Sequence, residues 1–526
     1  MAAIYEFGPF RLEADADTLF RGAEPVPLGG RAVALLRLLL DKAGKPVAKD
    51  ALMEAAWPRL AIEESNLTVQ MAALRRAFAA VEGGSSWIET LPRRGYRYVG
   101  PPATLSDGSR QTWLPSAASD KPSIAVLPFL NLSGDPAQDY FSDGITEDII
   151  TELSRFRSLF VVARHSSFVY RARSFDIREV GHQLGVRYVA EGSARRIGKR
   201  VRVTVKLLDA ASGFTLWTER YDGEIEDIFA IQDEIVGKVV SALPGRLEDA
   251  GREIARGKQT SNITAYDLVL LGNEKWRQLT VRSMEEARGY FKKAIGLDPA
   301  YARAHANAAW TVVCAAFLES PAAPPLDEAR REIEIALDLD EHDAWSHSIF
   351  AQLLFLQHRD QEADTHFKRA LALNPNDADV AAAFANILTY WGHWQEALTW
   401  IKSAKRLNPF PPNIYHWYHA LALYSAREYE QAIKVFKEAR SGDRWSHALL
   451  AACYAQTDRP TEASVEARVF IRERCLELSE NGEALPSNTL ELAWMRANRY
   501  RDPLDRDHFL DGLRKAGLTD GLSSLA

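Results

Sequence analysis

Residues 65–76 hold a set of side chains whose types and spacing suit base recognition. If 66–79 is one helix, Leu67, Met71, Leu74 and Phe78 fall at i, i+4, i+7 and i+11 and form a single buried stripe. Rotation by about 100° per residue then turns Ser65, Val69, Ala72, Ala73 and Arg76 to the opposite face. Asn66, Thr68, Gln70 and Arg75 flank that face. Small side chains permit close approach to a base-pair edge. Asn and Gln can pair with adenine, Ala and Val can meet a thymine methyl, and Arg can reach guanine or phosphate. Many exposed helices would pass this test alone. A second feature raises its weight: Trp87–Thr90 and Tyr96–Val99 read as two short strands joined by Pro92, Arg93, Arg94 and Gly95. A hairpin with two arginines at its tip suits phosphates or a narrow minor groove.

The elements that must position these groups are legible around them. Ala48–Trp57, closed by Pro58, reads as a helix, and a turn through Glu63 and Glu64 leads to the next, capped by Ser65 or Asn66. Earlier come strands within Tyr5–Leu12, the segment Pro25-Val26-Pro27-Leu28, and a helix over Ala32–Leu40. This order, with the string I-E-T-L-P-R-R-G-Y-R-Y at Ile88–Tyr98, resembles the OmpR/PhoB-type winged helix over nearly all of residues 1–100. The resemblance implies that the helix at 66–79 enters the major groove and the wing meets the minor groove. Carried over position by position, it implicates Asn66, Thr68, Val69, Gln70, Ala73, Arg75 and Arg76, with Arg93 and Arg94 in the wing. The module opens the sequence, so control through a phosphorylated receiver domain is not expected. The layout resembles CadC-like regulators, though the transmembrane helix those often carry is missing.

At 526 residues the chain is too long for one core. Its net charge of -7 excludes a polybasic nucleic-acid binder, so any DNA contact must come from a local patch. Cys314, Cys453 and Cys475 lie far apart, with no CxxC pair, so neither zinc nor a disulfide framework is implied. No run of about 18 apolar residues occurs and no secretory leader opens the chain, so a cytoplasmic protein is expected.

Residues 101–121 read as a flexible linker, and 1–105 is expected to fold as an independent, tethered module. Residues 122–250 look α/β. Ile124–Phe129 and Leu159–Ala163 are apolar runs, and Phe141–Phe156 has helical spacing. Val201, Val203, Val205 and Leu207 alternate with polar residues between candidate turns at Gly198 and Gly213. The strings at Ser123–Phe129, Phe141–Ile149 and Tyr188–Ser193 resemble a TolB-like α/β domain, which transfers no catalytic residue.

The remainder is helical and repetitive. Ala287/Phe291/Ala294, Ala329/Ile333/Ala336, Ala363/Phe367/Ala370, Ala397/Ile401/Ala404 and Ala432/Phe436/Ala439 repeat one pattern. Pro375 and Pro409 are 34 residues apart (409 − 375), the tetratricopeptide period. Ala351, Ala385, Ala420 and Ala451 each stand twelve residues before the first alanine of a helix of this kind, and are read as close helix contacts. About six helix pairs are expected over 262–475, with a helical cap over 476–526. Such arrays resemble tetratricopeptide solenoids, which implies a groove for a protein or peptide partner and is compatible with a homo-oligomer.

An enzyme is not expected. Gly134-Asp135-Pro136 lacks the GK[ST] of a phosphate loop. Asp143, Glu147 and Asp148 are read as an acidic helix start. His416 and His419 at i, i+3 have no evident third ligand, so no metal or other cofactor is expected. The reading is a multidomain protein: a winged helix-turn-helix (α+β), an α/β domain and an all-α tetratricopeptide solenoid. Its function is sequence-specific binding of double-stranded DNA to regulate transcription, without membrane association. The alternative is an assembly scaffold in which the winged helix makes protein contacts only.

Overall fold

The structure, a computed structural model, describes residues 2–13, 18–21, 24–26, 28–57, 64–79, 81, 83–92, 94–108, 121–171, 175–243, 260, 262–278, 280–318, 325–439, 444–480, 488–493 and 497–518. Two compact units form: Met1–Trp113 with Ile333–Leu373, and Leu114–Glu332 with Asn374–Ala526.

The first unit opens with β1 (Ala2–Phe7), β2 (Phe10–Glu13), β3 (Thr18–Arg21) and β4 (Glu24–Val26), an antiparallel meander. Then follow α1 (Gly30–Asp41), α2 (Lys49–Ala56), α3 (Glu64–Phe78), β5 (Ile88–Leu91), β6 (Gly95–Tyr98) and β7 (Thr104–Gly108). β7 pairs antiparallel with β1 and completes the sheet order β4-β3-β2-β1-β7. This corrects the linker expected at 101–121. Its first part is held by a strand ladder, and 109–120 lies outside the described residues. A cut at 105 would divide β7.

One core joins sheet and helices. α1 contributes Leu35, Leu36 and Leu39, and α3 contributes Leu67, Met71, Leu74 and Phe78, all buried. Phe7, Phe10, Phe78 and Trp87 pack as an aromatic cluster with ring centroids 5.3–6.4 Å apart. The expected stripe on α3 is therefore the one that meets the core.

The same unit contains the helices Ala344–Leu356 and Asp360–Leu373. The start of α1 is seated against them. Gly29, at the N-cap of α1, offers no side-chain cap, and a Cβ there would stand 2.1 Å from Glu341 Oε1. A carboxylate beside the exposed N–H groups of a helix start is favourable. Buried Arg369 donates from Nη2 to the Leu28 carbonyl at 3.0 Å, and Arg31 pairs with Asp338 at 3.5 Å. The winged helix is thus docked, and the expectation of a freely tethered module is corrected.

The second unit holds the α/β domain: β8 (Ser123–Val126), β9 (Leu130–Asn131), α4 (Asp139–Ser154), β10 (Phe160–Val161), α5 (Arg164–Phe168), α6 (Ile177–Leu184), β11 (Tyr188–Ile197), β12 (Arg200–Asp209), β13 (Thr215–Glu224) and α7 (Ile228–Ala242). The sheet runs β10-β8-β11-β12-β13, with β10, β8 and β11 parallel and the rest antiparallel; β9 pairs with β11. Val201, Val203, Val205 and Leu207 face the core beneath α4 and α7, as their alternation predicts. Gly198 and Gly213 occupy the hairpin turns with φ of 60° and 77°.

Six described helix pairs follow: Ile263–Trp276 with Val281–Leu297, Ala302–Phe317 with Leu326–Leu339, Ala344–Leu356 with Asp360–Leu373, Ala378–Tyr390 with Trp394–Leu407, Asn413–Ser425 with Tyr429–Glu438, and Arg444–Gln456 with Pro460–Glu480. The repeating alanines Ala287, Ala329, Ala363, Ala397 and Ala432 are fully buried, as are Ala351, Ala385, Ala420 and Ala451. Within-pair turns are left-handed at His358, Gly392, Arg427 and Asp458. The step from His358 to Gly392 is 34 residues (392 − 358), so the turns repeat with the helices. The C-terminal region is a tetratricopeptide-type solenoid. A last helix, Pro503–Lys515, packs on Arg444–Gln456, with the Tyr424 hydroxyl donating to the His508 carbonyl at 3.0 Å.

Candidate nucleic-acid interface

α3 begins at Glu64, so Ser65 and Asn66 lie inside its first turn and neither is the N-cap expected from sequence. The cap position lies outside the described residues. Beginning the helix earlier leaves the rotation of its faces unchanged, because the buried stripe sets it. Asn66, Thr68, Ala72 and Arg76 are exposed, Gln70 is half-exposed, and Val69 keeps 59% of its surface in solvent. An apolar side chain so exposed beside polar neighbours is the pattern a groove-reading helix presents.

Two candidates have other duties. Ala73 is half-buried and packs against the core, which takes it off the outer face. Arg75 turns to the wing. Its Nε and Nη2 donate to the Ile88 carbonyl at 3.1 and 2.9 Å, and Nη2 donates to Thr90 Oγ1 at 2.6 Å. Its guanidinium also stands 5.9 Å from the Tyr96 ring centroid. A planar fork holding one carbonyl with two N–H groups fixes a strand on a helix. Arg75 therefore latches α3 to β5.

The wing is β5 and β6, registered Ile88↔Tyr98 to Leu91↔Gly95. Arg94 sits exposed at the tip, its backbone N–H bonded to the Leu91 carbonyl at 2.9 Å. Arg93 lies outside the described residues. Gly95 is required: its φ is 101°, and a Cβ would meet the Val47 carbonyl oxygen at 2.0 Å. That approach lets Val47 and Tyr96 exchange backbone hydrogen bonds of 2.8 and 3.0 Å, anchoring β6 beside α2. Arg97 is paired across the hairpin with Glu89 at 2.6 Å. Glu89, Thr90 and Arg97 were not singled out from sequence, although their cross-strand positions follow from the hairpin register.

The acidic residues of α4 are not a helix start. Asp143, Glu147 and Asp148 come after its first turn, since α4 begins at Asp139. Each carboxylate is bound. Asp143 pairs with Arg171, and Glu147 with Arg164 at 3.2 Å and with Arg277. Buried Asp148 accepts from Arg303 at 2.6 Å, the Tyr266 hydroxyl at 2.6 Å and Gln232 at 3.1 Å. Burial raises the Glu147 pKa, but the neighbouring Arg277, Arg164 and Arg303 outweigh it and hold the group below its ordinary value. The network ties α4 to the first repeat helices. Burial pushes His419 down to about 4, with Lys405 and Lys402 adding to it, and lowers His416 likewise. Among the described residues no group of three or more His, Cys, Asp or Glu could hold a metal ion.

Comparison with known proteins places these parts. Residues 23–98 match the family model "Transcriptional regulatory protein, C terminal", and 119–238 match "HilA/YgeH-like transcriptional regulator, second domain". The chain carries an OmpR/PhoB-type winged helix. It is similar to "Putative adenylate cyclase 3" of Rhizobium meliloti (strain 1021), 42% identical over 246 residues, covering 46% of this chain and 42% of that protein. It is similar to transcriptional regulator HilA of Salmonella typhi, 26% identical over 302 residues, 56% of this chain and 50% of that protein. The chain thus spans half or less of the length of these two relatives. Among solved structures, the DNA-binding domain of E. coli CadC is 19% identical with a TM-score of 0.18, covering 20% of this chain and 96% of that one. Pseudomonas aeruginosa pilF is 21% identical with a TM-score of 0.32, covering 45% and 98%. No helix among the described residues is long and apolar enough to cross a membrane.

Proposed function

We propose that the protein is a sequence-specific DNA-binding transcription regulator whose α/β and repeat regions sense a signal or bind a protein or peptide partner. The observation that carries the reading is the outer face of α3, where exposed Val69 stands among Asn66, Thr68 and Arg76, with Arg94 at the wing tip. The Asn, Thr, Gln and Val side chains would read base edges in the major groove. Arg76, Arg94 and Arg93 would hold phosphates or the minor groove. The partner is double-stranded DNA, the setting is the cytoplasm, and no cofactor takes part. The seat of α1 on Glu341 and Arg369 supports control through the repeats, because whatever repacks those helices reaches the DNA-reading module directly.

Genome-wide recovery of DNA bound to the intact protein tests this. Fragments sharing one short sequence are expected, and recovery no better than with an α3 deletion would refute it. The same seat also favours a second reading, in which the winged helix serves protein contacts in an assembly. Under that reading Arg76→Ala and Arg94→Ala leave DNA recovery unchanged. The relative named as a cyclase prompts one further check: the intact protein is expected to form no cyclic AMP from ATP, and its formation would overturn the non-enzymatic reading.

A further inference from the structure

We propose that the cleft bounded by Lys121, His182, Lys405 and Arg406 in the second unit binds a small phosphate-bearing anion. The cavity is about 490 Å³, within the range of small-molecule sites, and its walls come from separate elements: the lead into β8, Phe160 of β10, the end of α6 and the last turn of Trp394–Leu407. Among the described residues no aspartate or glutamate lines it. That sets it apart from the other cation clusters of this unit, where Arg164, Arg277 and Arg303 each meet a carboxylate of α4.

Lys405 and Arg406 taken alone have a plain explanation, since cations in a last helical turn complement the helix dipole. Lys121 does not share it. It belongs to another segment and converges on the same space, with Arg157 close enough to act on it. Partial desolvation in the cleft wall, and the neighbouring charges of Arg157 and Arg406, hold the Lys121 pKa below its ordinary value. Desolvation lowers Lys405 likewise, against the opposing pull of Glu438. Like charges gathered without a lining carboxylate are relieved by an anion.

The donor set fits phosphate. Two ammonium groups supply point charges, and the Arg406 guanidinium, 5.2 Å from the Phe160 ring, supplies a planar fork. Ser123 lines the cleft with a hydroxyl that accepts from the Arg187 N–H at 3.0 Å, a bond that leaves its own proton to donate.

The test is isothermal titration of the intact protein with sodium pyrophosphate at constant ionic strength. A saturable isotherm is expected. Its Kd should weaken at least tenfold in the double variant Lys121→Ala, Arg406→Ala. Lys121→Arg should keep most of the binding, which separates loss of charge from loss of fold. Unsaturable heats, or equal affinity in the Lys121/Arg406 double variant, would overturn the proposal. So would loss of duplex affinity in that double variant without pyrophosphate binding by the parent, since the cleft would then be a DNA-backbone contact.

Discussion

Replacing Arg75 with alanine should loosen the wing before it alters which bases are read. The guanidinium makes three hydrogen bonds to β5, at 3.1 and 2.9 Å to the Ile88 carbonyl and 2.6 Å to Thr90 Oγ1. Hydrogen bonds to a charged group contribute about 1.5–3 kcal/mol each when separate. Here two share one acceptor and the third is exposed, so about 2 kcal/mol is the reasonable total for the set. With about 1.4 kcal/mol per factor of ten, local opening of the wing should rise roughly 30-fold. Amide hydrogen exchange on the intact protein reads this directly, at the Tyr96 and Val99 amides bonded to Val47 and Trp87. Arg75→Lys should restore little, because one ammonium cannot reproduce the fork. If protection in β5 and β6 stays within about threefold of the parent while base preference shifts, Arg75 reads DNA and the latch is wrong.

Arg93→Ala with Arg94→Ala should weaken binding on all sequences and shrink the slope of log K against log salt by about 2; an unchanged slope would remove the wing from the phosphate contacts. Gln70→Ala should instead relax preference at one base position by about 1–3 kcal/mol with non-specific binding intact, as competition with single-base operator variants would reveal. Ala385→Trp should lower the thermal midpoint, since overpacking a fully buried contact costs about 1–3 kcal/mol or more; an unshifted melt contradicts the packing register. The fourth concerns acid. His347 and His366 meet Nδ1 to Nδ1 at 2.8 Å, and His347 Nε2 faces the Glu341 carbonyl at 3.1 Å, so only one proton fits between the two Nδ1 atoms. Burial, with Arg359 and Arg369 adding to it against the pull of Glu362, lowers His366 to about 4. The unfolded chain then binds more protons between pH 6.5 and 4, so stability should fall as pH drops through that window. His366→Gln should flatten the dependence of the thermal midpoint, and an equally steep profile would exclude the pair as its source.

Periodicity alone determined much of this protein. The stripe Leu67, Met71, Leu74, Phe78 fixed which face of α3 is buried, because burial follows rotation about a helix whatever its ends do. The alternation in β12 and the 34-residue alanine pattern were equally local, and each appears where its spacing puts it. Long-range pairing was not legible. β7 joins β1 across about a hundred residues, and its sequence, Thr-Leu-Ser-Asp-Gly, carries no strand pattern strong enough to outweigh the neighbouring prolines. Arg75 shows the same limit within one module. Its type suits DNA, and only the placement of β5 beside α3 gives its guanidinium a nearer acceptor. The seat of α1 on Glu341 and Arg369 lies beyond any sequence window, since it joins residues more than three hundred positions apart through a backbone carbonyl and a side-chain-free glycine. Local spacing records which side of an element is apolar; which polar group meets which partner is decided when the elements pack.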